Sequence, residues 1–270
     1  MKKEKHISIV TILLVVVCII SMSAAGLKTA DYLLSGQEYK DLMGETPKVT
    51  QEAENTDMYP ELDLDVQKLR AINGDLRYVL YFPHFDMLYP VVYPGDNNEY
   101  LHKTFEGKKL FAGCLFMNAN GGDNLTDRNT IIYGHNMLDG SMFGKFKDLV
   151  QGKDRFKDPE YFYLYSENQV RRYRVVSYYK TKLQDGAYRI PTDDEEYDSF
   201  AENIKERSLQ EFKTDLQTRP DIVTLSTCYG YGHQYFTVIH GALDKTFQIP
   251  ATKTAASRGL RGRYASMAHD

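Results

Sequence analysis

The sequence predicts a mainly β fold, closed or nearly closed. Three observations predict it. Eight short apolar runs carry the alternation or continuous apolarity of strands. Gly, Asn and Asp punctuate the segments between them. Tyr and Phe are abundant while Trp is absent, and Tyr-rich runs suit a half-buried pleated surface.

In order, strands are expected at 78–82 (YVLYF), 88–93 (LYPVVY), 113–117 (GCLFM) and 130–133 (TIIY). Further strands follow at 161–165 (YFYLY), 170–178 (VRRYRVVSY), 222–227 (IVTLST) and 235–243 (YFTVIHGAL). Two helices interrupt them. One is expected at 141–150 (SMFGKFKDLV), the other at 195–210, where Tyr197, Phe200, Ile204 and Leu209 recur at helical spacing. Thr192, Asp193 and Asp194 precede the second and suit the positive end of a helix. A short helix is expected over Leu62 to Leu69. Residues 27–56 read as a polar helical stalk, with Leu27, Leu33, Leu34 and Tyr39 on a weak helical period that Pro47 ends.

The chain begins with the basic segment MKKEKH, followed by an uncharged run at 7–26. A helix of that length spans a hydrocarbon core of roughly 30 Å. The flanking lysines predict a cytoplasmic N-terminus with the remainder outside. Ser21, Met22 and Ser23 resemble a cleavage site, the competing reading, but the run exceeds the usual signal-peptide length of about 7–15 apolar residues. The expected organisation is therefore a cytoplasmic 1–6, a transmembrane signal-anchor at 7–27, stalk and N-terminal helices at 28–75, a β domain at 76–249, and a disordered tail at 250–270.

A net charge of −4, with no basic stripe interleaved with aromatics, argues against a nucleic-acid partner. The three cysteines, Cys18, Cys114 and Cys228, form no CxxC or Cys/His finger spacing, which argues against a structural zinc. Cys228, His233, His240 and His135 likewise follow no recognised metal-ligand pattern. The count alone leaves a Cys114–Cys228 disulfide open.

Two residues stand where reactive groups are well placed. Cys228 ends the run IVTLSTC and opens into the loop YGYGH. The strand fixes the thiol and the loop leaves room for a substrate backbone, although a small core cysteine would read the same way. His135 leaves the strand TIIYG in the same manner. A thiolate is the reactive form of cysteine, and an imidazole can take its proton or protonate a departing amine.

The segments that carry these residues resemble those of class B sortases, cysteine transpeptidases of Gram-positive cell surfaces. YPVVYPGDNNEYL at 89–101, AGCLFMNANGG at 112–122, RNTIIYGHNMLDGSMFGKFKDL at 128–149 and TLSTC at 224–228 stand in the family's order. The resemblance covers roughly residues 60–248. It implies an eight-stranded closed β-barrel with N-terminal helices and an inserted helix near 195–210. It also implies that Cys228 attacks the Thr carbonyl of an NPxTN-type sorting signal to form a thioacyl enzyme. An amine of a peptidoglycan precursor then receives the acyl group, His135 serves as acid and base, and no cofactor is needed. Asn136, Met137 and Thr227 would shape the peptide groove, and the Tyr229 backbone N–H would face the oxyanion.

The family carries an Arg in the strand after its Cys. Here that strand, HQYFTVIHG, has none; counting from Cys228 places Phe236 at the position, and matching the pattern places Tyr235 there. Tyr235 and His233 are candidate substitutes; Ser226, expected on the same face as Cys228 with Thr227 on the other, could hydrogen-bond near the substrate as an auxiliary. Arg189, in GAYRIP, and His240 are more distant ones. The missing Arg also admits a catalytically impaired surface protein that binds sorting signals or scaffolds other sortases.

Overall fold

The computed structural model of the 270-residue chain describes residues 36–43, 58–183, 185–229 and 234–249, with residues 21 and 34, and at Cys228 and Tyr229 it describes the backbone. The strands are β1 (Leu76–Phe82), β2 (Met87–Val92), β3 (Leu115–Met117), β4 (Asn129–Gly134), β5 (Tyr161–Tyr165), β6 (Gln169–Thr181), β7 (Ile222–Tyr229) and β8 (Tyr235–Gln248). They close into a barrel in the order β1-β2-β3-β4-β7-β8-β6-β5. The pairs β2–β3 and β4–β7 are parallel and the others antiparallel. All eight expected strands are present, and closure leaves no unpaired edge.

The apolar character of β7 and β8 follows from burial on both faces. Val223, Leu225 and Ile239 join the main core with Leu80, Ile132 and Phe162. Ile222, Val238 and Ala242 face outward into a second cluster with Tyr197, Phe200 and Ile204 of α3 (Asp194–Glu206). Each large apolar side chain so buried contributes about 1.5–3 kcal/mol. The Asp193 carboxylate caps α3 by accepting from the Glu196 N–H at 2.8 Å, and Asp194, Glu195 and Glu196 sit in the positive first turn.

Several boundaries differ from expectation. Helix α3 ends at Glu206, so Leu209 leaves the apolar face, is exposed, and donates its backbone N–H to the Tyr178 carbonyl. The helix expected at 141–150 forms only as α2 (Phe146–Val150), because Gly140 at φ 82° and Met142 at φ 50° are incompatible with a right-handed helix. The helix expected over Leu62 to Leu69 forms later, as α1 (Val66–Ile72), where Asp65 can cap it. Within the expected stalk, residues 36–43 are helical. Tyr39 there is buried against Tyr89, and its hydroxyl donates to the Gly113 carbonyl at 2.5 Å. The expected anchor at 7–27 and tail at 250–270 lie outside the described residues, save for residue 21; among the described residues no helix is long and apolar enough to cross a membrane.

Two polar contacts of one histidine tie the β1–β2 corner to the strap before β5. His84 Nε2 lies 2.8 Å from Asp154 and Nδ1 3.2 Å from Glu160, among the rings of Phe82, Phe85 and Phe156. Burial alone would lower this imidazole; its bonds to Glu160 and Asp154 outweigh burial and raise it above 6.5. A raised pKa means that the folded state binds the proton more tightly. The stabilisation is therefore full below the unfolded value of about 6.5 and lost as pH rises through the folded value. The melting temperature of the wild type relative to His84→Gln should fall across that window. A difference independent of pH from 5 to 9 would show that His84 stays neutral.

Candidate active site

Three strand ends converge at one place on the barrel wall. Parallel pairing of β4 with β7 runs from Asn129 opposite Ile222 to Gly134 opposite Thr227. The next residues are therefore neighbours, His135 where the chain leaves β4 and Cys228 still within β7, on strands about 4.8 Å apart. Antiparallel pairing of β7 with β8 sets Phe236 opposite Cys228 and Tyr235 opposite Tyr229.

The turn after β4 has a packing reason. A Cβ at Gly134 would stand 2.5 Å from Leu115 Cδ2 and 2.7 Å from Phe143 Cδ2, so the backbone passes close only because it lacks one. The His135 carbonyl then accepts from the Phe143 N–H at 3.0 Å. Its ring is buried and stacks on Phe111 at 5.1 Å and 11°, with His102 at 5.3 Å. His102 in turn stacks on Phe111 at 5.5 Å, and its Nδ1 lies 3.3 Å from the Phe111 carbonyl. The imidazole is thus held flat by two rings from the loop before β3.

Beside His135 opens a cavity of about 240 Å³, lined among others by Leu101, Cys114, Tyr133, Ser226 and Phe236. Its walls are largely apolar, and no Lys or Arg is among the described residues lining it. A larger cavity, about 740 Å³, lies between residues 36–43 and α1 and contains neither His135 nor Ser226.

Behind the cavity wall a polar network fixes the loop between β6 and α3. Asn129 donates to the carbonyls of Ala187 at 3.3 Å and Arg189 at 2.8 Å, and accepts from Thr224 Oγ1 at 2.6 Å. Thr224 has only one proton, so at its 2.9 Å contact with His240 Nδ1 it accepts, and His240 donates. Burial, aided by Arg207, pushes His240 down to about 3, so the ring stays neutral. The loop's other end is tied by Asp185, which accepts from Thr181 Oγ1 at 2.8 Å and pairs with Arg207 at 2.7 Å.

Against known proteins, the model of the sortase domain matches residues 80–244, well over half of the chain. The chain belongs to the sortase family. Sortase B of Listeria monocytogenes is 28% identical over 182 residues, 66% of this chain and 73% of that protein. The crystal structure of Clostridium perfringens sortase B is 28% identical, with a TM-score of 0.60 over 67% of this chain and 100% of that one. That of Bacillus anthracis sortase B is 27% identical, with a TM-score of 0.63 over 80% of this chain and 100% of that one. The protein is a class B sortase, a cysteine transpeptidase by family, and its eight-stranded barrel is the sortase B fold.

The sortase places the expected site residues unevenly. Ser226 faces the cavity side of β7, while Thr227 is buried in register with Gly134 and Thr237. Asn136 is half-buried and bridges to Met142; Met137 is fully buried in the core, so it can shape a groove only from beneath. Tyr235 is exposed, with Lys180 Nζ 4.2 Å and Lys182 Nζ 5.6 Å from its ring centre. His240 is sequestered under α3, its ring edge-on to Phe200 and tilted against Tyr179. Arg189 is exposed, and His233 lies outside the described residues. Cys114 is a free buried thiol, which excludes its pairing with Cys228.

Sequence reasoning passed over His102, Phe111 and Tyr188. Tyr188 precedes Arg189 in the GAYRIP segment. Its ring meets Phe236 edge-on at 6.2 Å, and its hydroxyl lies 2.8 Å from Ser226 Oγ.

Phe236 is 7% exposed and lines the cavity beside His135, so Phe236→Arg should lower peptide-cleavage activity by about 10-fold or more through distortion of that wall. Tyr235→Arg adds a third cation beside Lys180 and Lys182 and should bring no gain. A strong gain from either variant in kcat/KM would mean that the site lacks only the missing guanidinium.

Proposed function

We propose that this sortase cleaves an NPxTN-type sorting signal and transfers the protein to a cell-wall amine. The Cys228 sulfur adds to the Thr carbonyl, and the tetrahedral adduct expels the amine of the next residue, which takes a proton from His135. The C–N bond breaks and a C–S thioacyl bond remains. An amine of a peptidoglycan precursor then attacks that carbonyl, His135 accepts its proton, and the thiolate departs. The Tyr229 backbone N–H, next along β7, would face the negative oxygen in both steps. The observation that supports this most is the register that sets His135, at the exit of β4, beside Cys228 on the adjacent parallel strand β7. The cavity of about 240 Å³ beside them suits a peptide side chain better than a free solute, because its lining is apolar. Residues 7–27 would anchor the chain in the membrane, with the barrel on the outer side.

Phe236 opposite Cys228 favours a second reading, a surface protein that binds sorting signals with little turnover. Intact mass spectrometry of the full-length chain, mixed with an NPATN peptide, separates the two. An adduct of the peptide's acyl half on Cys228, discharged by added triglycine, supports the transpeptidase. Peptide binding without adduct or product supports the second reading.

A further inference from the structure

In the proposed reaction His135 gives a proton to the departing amine and takes one from the incoming amine, so the aim of its ring matters in both steps. The Phe143 N–H fixes its backbone, but that bond leaves the side-chain torsions open. The ring lies against Phe111, whose plane is only 11° from its own at 5.1 Å. Phe111 is an exposed support. It is 44% exposed and belongs to a loop rather than to a strand. Burial alone does not hold a side chain so exposed.

His102 grips it from the opposite foot of the same loop. The Leu110 N–H donates to the His102 carbonyl at 3.1 Å. A bridge between Lys103 and Lys109, and the Thr104 N–H bond to the Lys108 carbonyl at 2.8 Å, continue that pairing toward the tip. His102 Nδ1 then lies 3.3 Å from the Phe111 carbonyl. A carbonyl only accepts, so Nδ1 carries a proton and donates it. The His102 ring also stacks on Phe111 at 5.5 Å and 24°, and lies 5.3 Å from His135 at 32°. Three rings therefore lie against one another pairwise, and one of them holds the backbone of the second by a hydrogen bond. His102 is itself exposed and is not among the residues that line the cavity of about 240 Å³. Any effect it has on the reaction passes through its neighbours.

We infer that His102 is a positioning residue of this sortase: its Nδ1–H bond to the Phe111 carbonyl holds the Phe111 ring flat against His135 and so aims the imidazole. The catalytic consequence rests on the proposed thioacyl reaction; the positioning rests on the ring geometry.

The test uses the full-length chain in detergent. His102→Ala should lower kcat for a fluorogenic NPATN peptide by about 10-fold with KM within about twofold, because a misaimed group slows the chemistry without weakening binding. Asparagine carries its amide nitrogen at the same two-bond reach from Cβ as Nδ1, so His102→Asn should recover most of that loss. In a His135→Ala background, His102→Ala should change kcat by less than about twofold, since no imidazole remains to be aimed. The spectrum of the chain labelled with isotopic histidine reads the same contact without substrate. The His135 ring resonance, assigned by its absence in His135→Ala, should move in His102→Ala toward its position in Phe111→Leu, and stay in place in His102→Asn. An equal loss of kcat with and without His135, or a loss in His102→Asn as large as in His102→Ala, would overturn the inference. A raised KM with unchanged kcat would make His102 a binding residue and overturn it equally. If the wild type shows no Cys228-dependent cleavage, the proposed reaction fails and the catalytic role falls with it. An unmoved His135 resonance in His102→Ala overturns the positioning whatever happens to the peptide.

Discussion

Cys228→Ala should reduce cleavage of an NPxTN-type peptide by at least about 10⁴-fold. The reason is covalent: without the sulfur there is no thioacyl bond, and binding plus oxyanion donors leave only residual acceleration. Among the described residues, the other thiol cannot take over. Cys114 lines the same cavity, but it is 2% exposed and donates to the Pro90 carbonyl at 3.6 Å. Burial pushes its thiol up to about 12, so it carries almost no thiolate at neutral pH. Steady-state hydrolysis of the fluorogenic peptide by the two proteins, at equal concentration and equal melting temperature, is the measurement. A variant retaining a tenth of the wild-type rate would remove Cys228 from the mechanism.

His135→Ala should cost about 10²–10⁴-fold in kcat, the usual contribution of a positioned acid or base. The leaving amine must acquire a proton as the C–N bond breaks, and the imidazole is the group that leaves the sheet beside Cys228. Phe111 and the Phe143 N–H fix its plane and its backbone, so the loss should appear in kcat rather than in KM. Added imidazole should restore part of the rate, because truncation to alanine leaves room against Phe111. Absence of rescue together with a collapsed melting temperature would mark His135 as a packing residue instead.

Much of this molecule is written locally. Strand β5 is legible from YFYLY alone because a run of aromatic residues between turn signals has few other uses. The Asp193 cap of α3 is legible because a carboxylate before an amphipathic run satisfies free backbone N–H groups. Cys228 and His135 stand out because each ends an apolar run at a glycine-containing turn. The failures were also local in origin. SMFGKFKDLV has a helical spacing of apolar residues, yet the positive φ at Met142 arises from the bridge between Asn136 and Met142 that folds the segment back. Leu209 has the spacing of a buried face, but α3 stops short when its chain turns to meet β6.

By itself, the sequence determined the β class, the eight strands and the two candidate reactive residues, since these depend on neighbours along the chain. Only the tertiary structure decided between Phe236 and Tyr235 as the residue opposite Cys228, and only it brought Tyr188 to Ser226. The physical reason is register. A slip of one residue turns every side chain of a strand to the other face. That choice is made by non-local pairing of β8 with both β7 and β6, which no stretch of adjacent residues records.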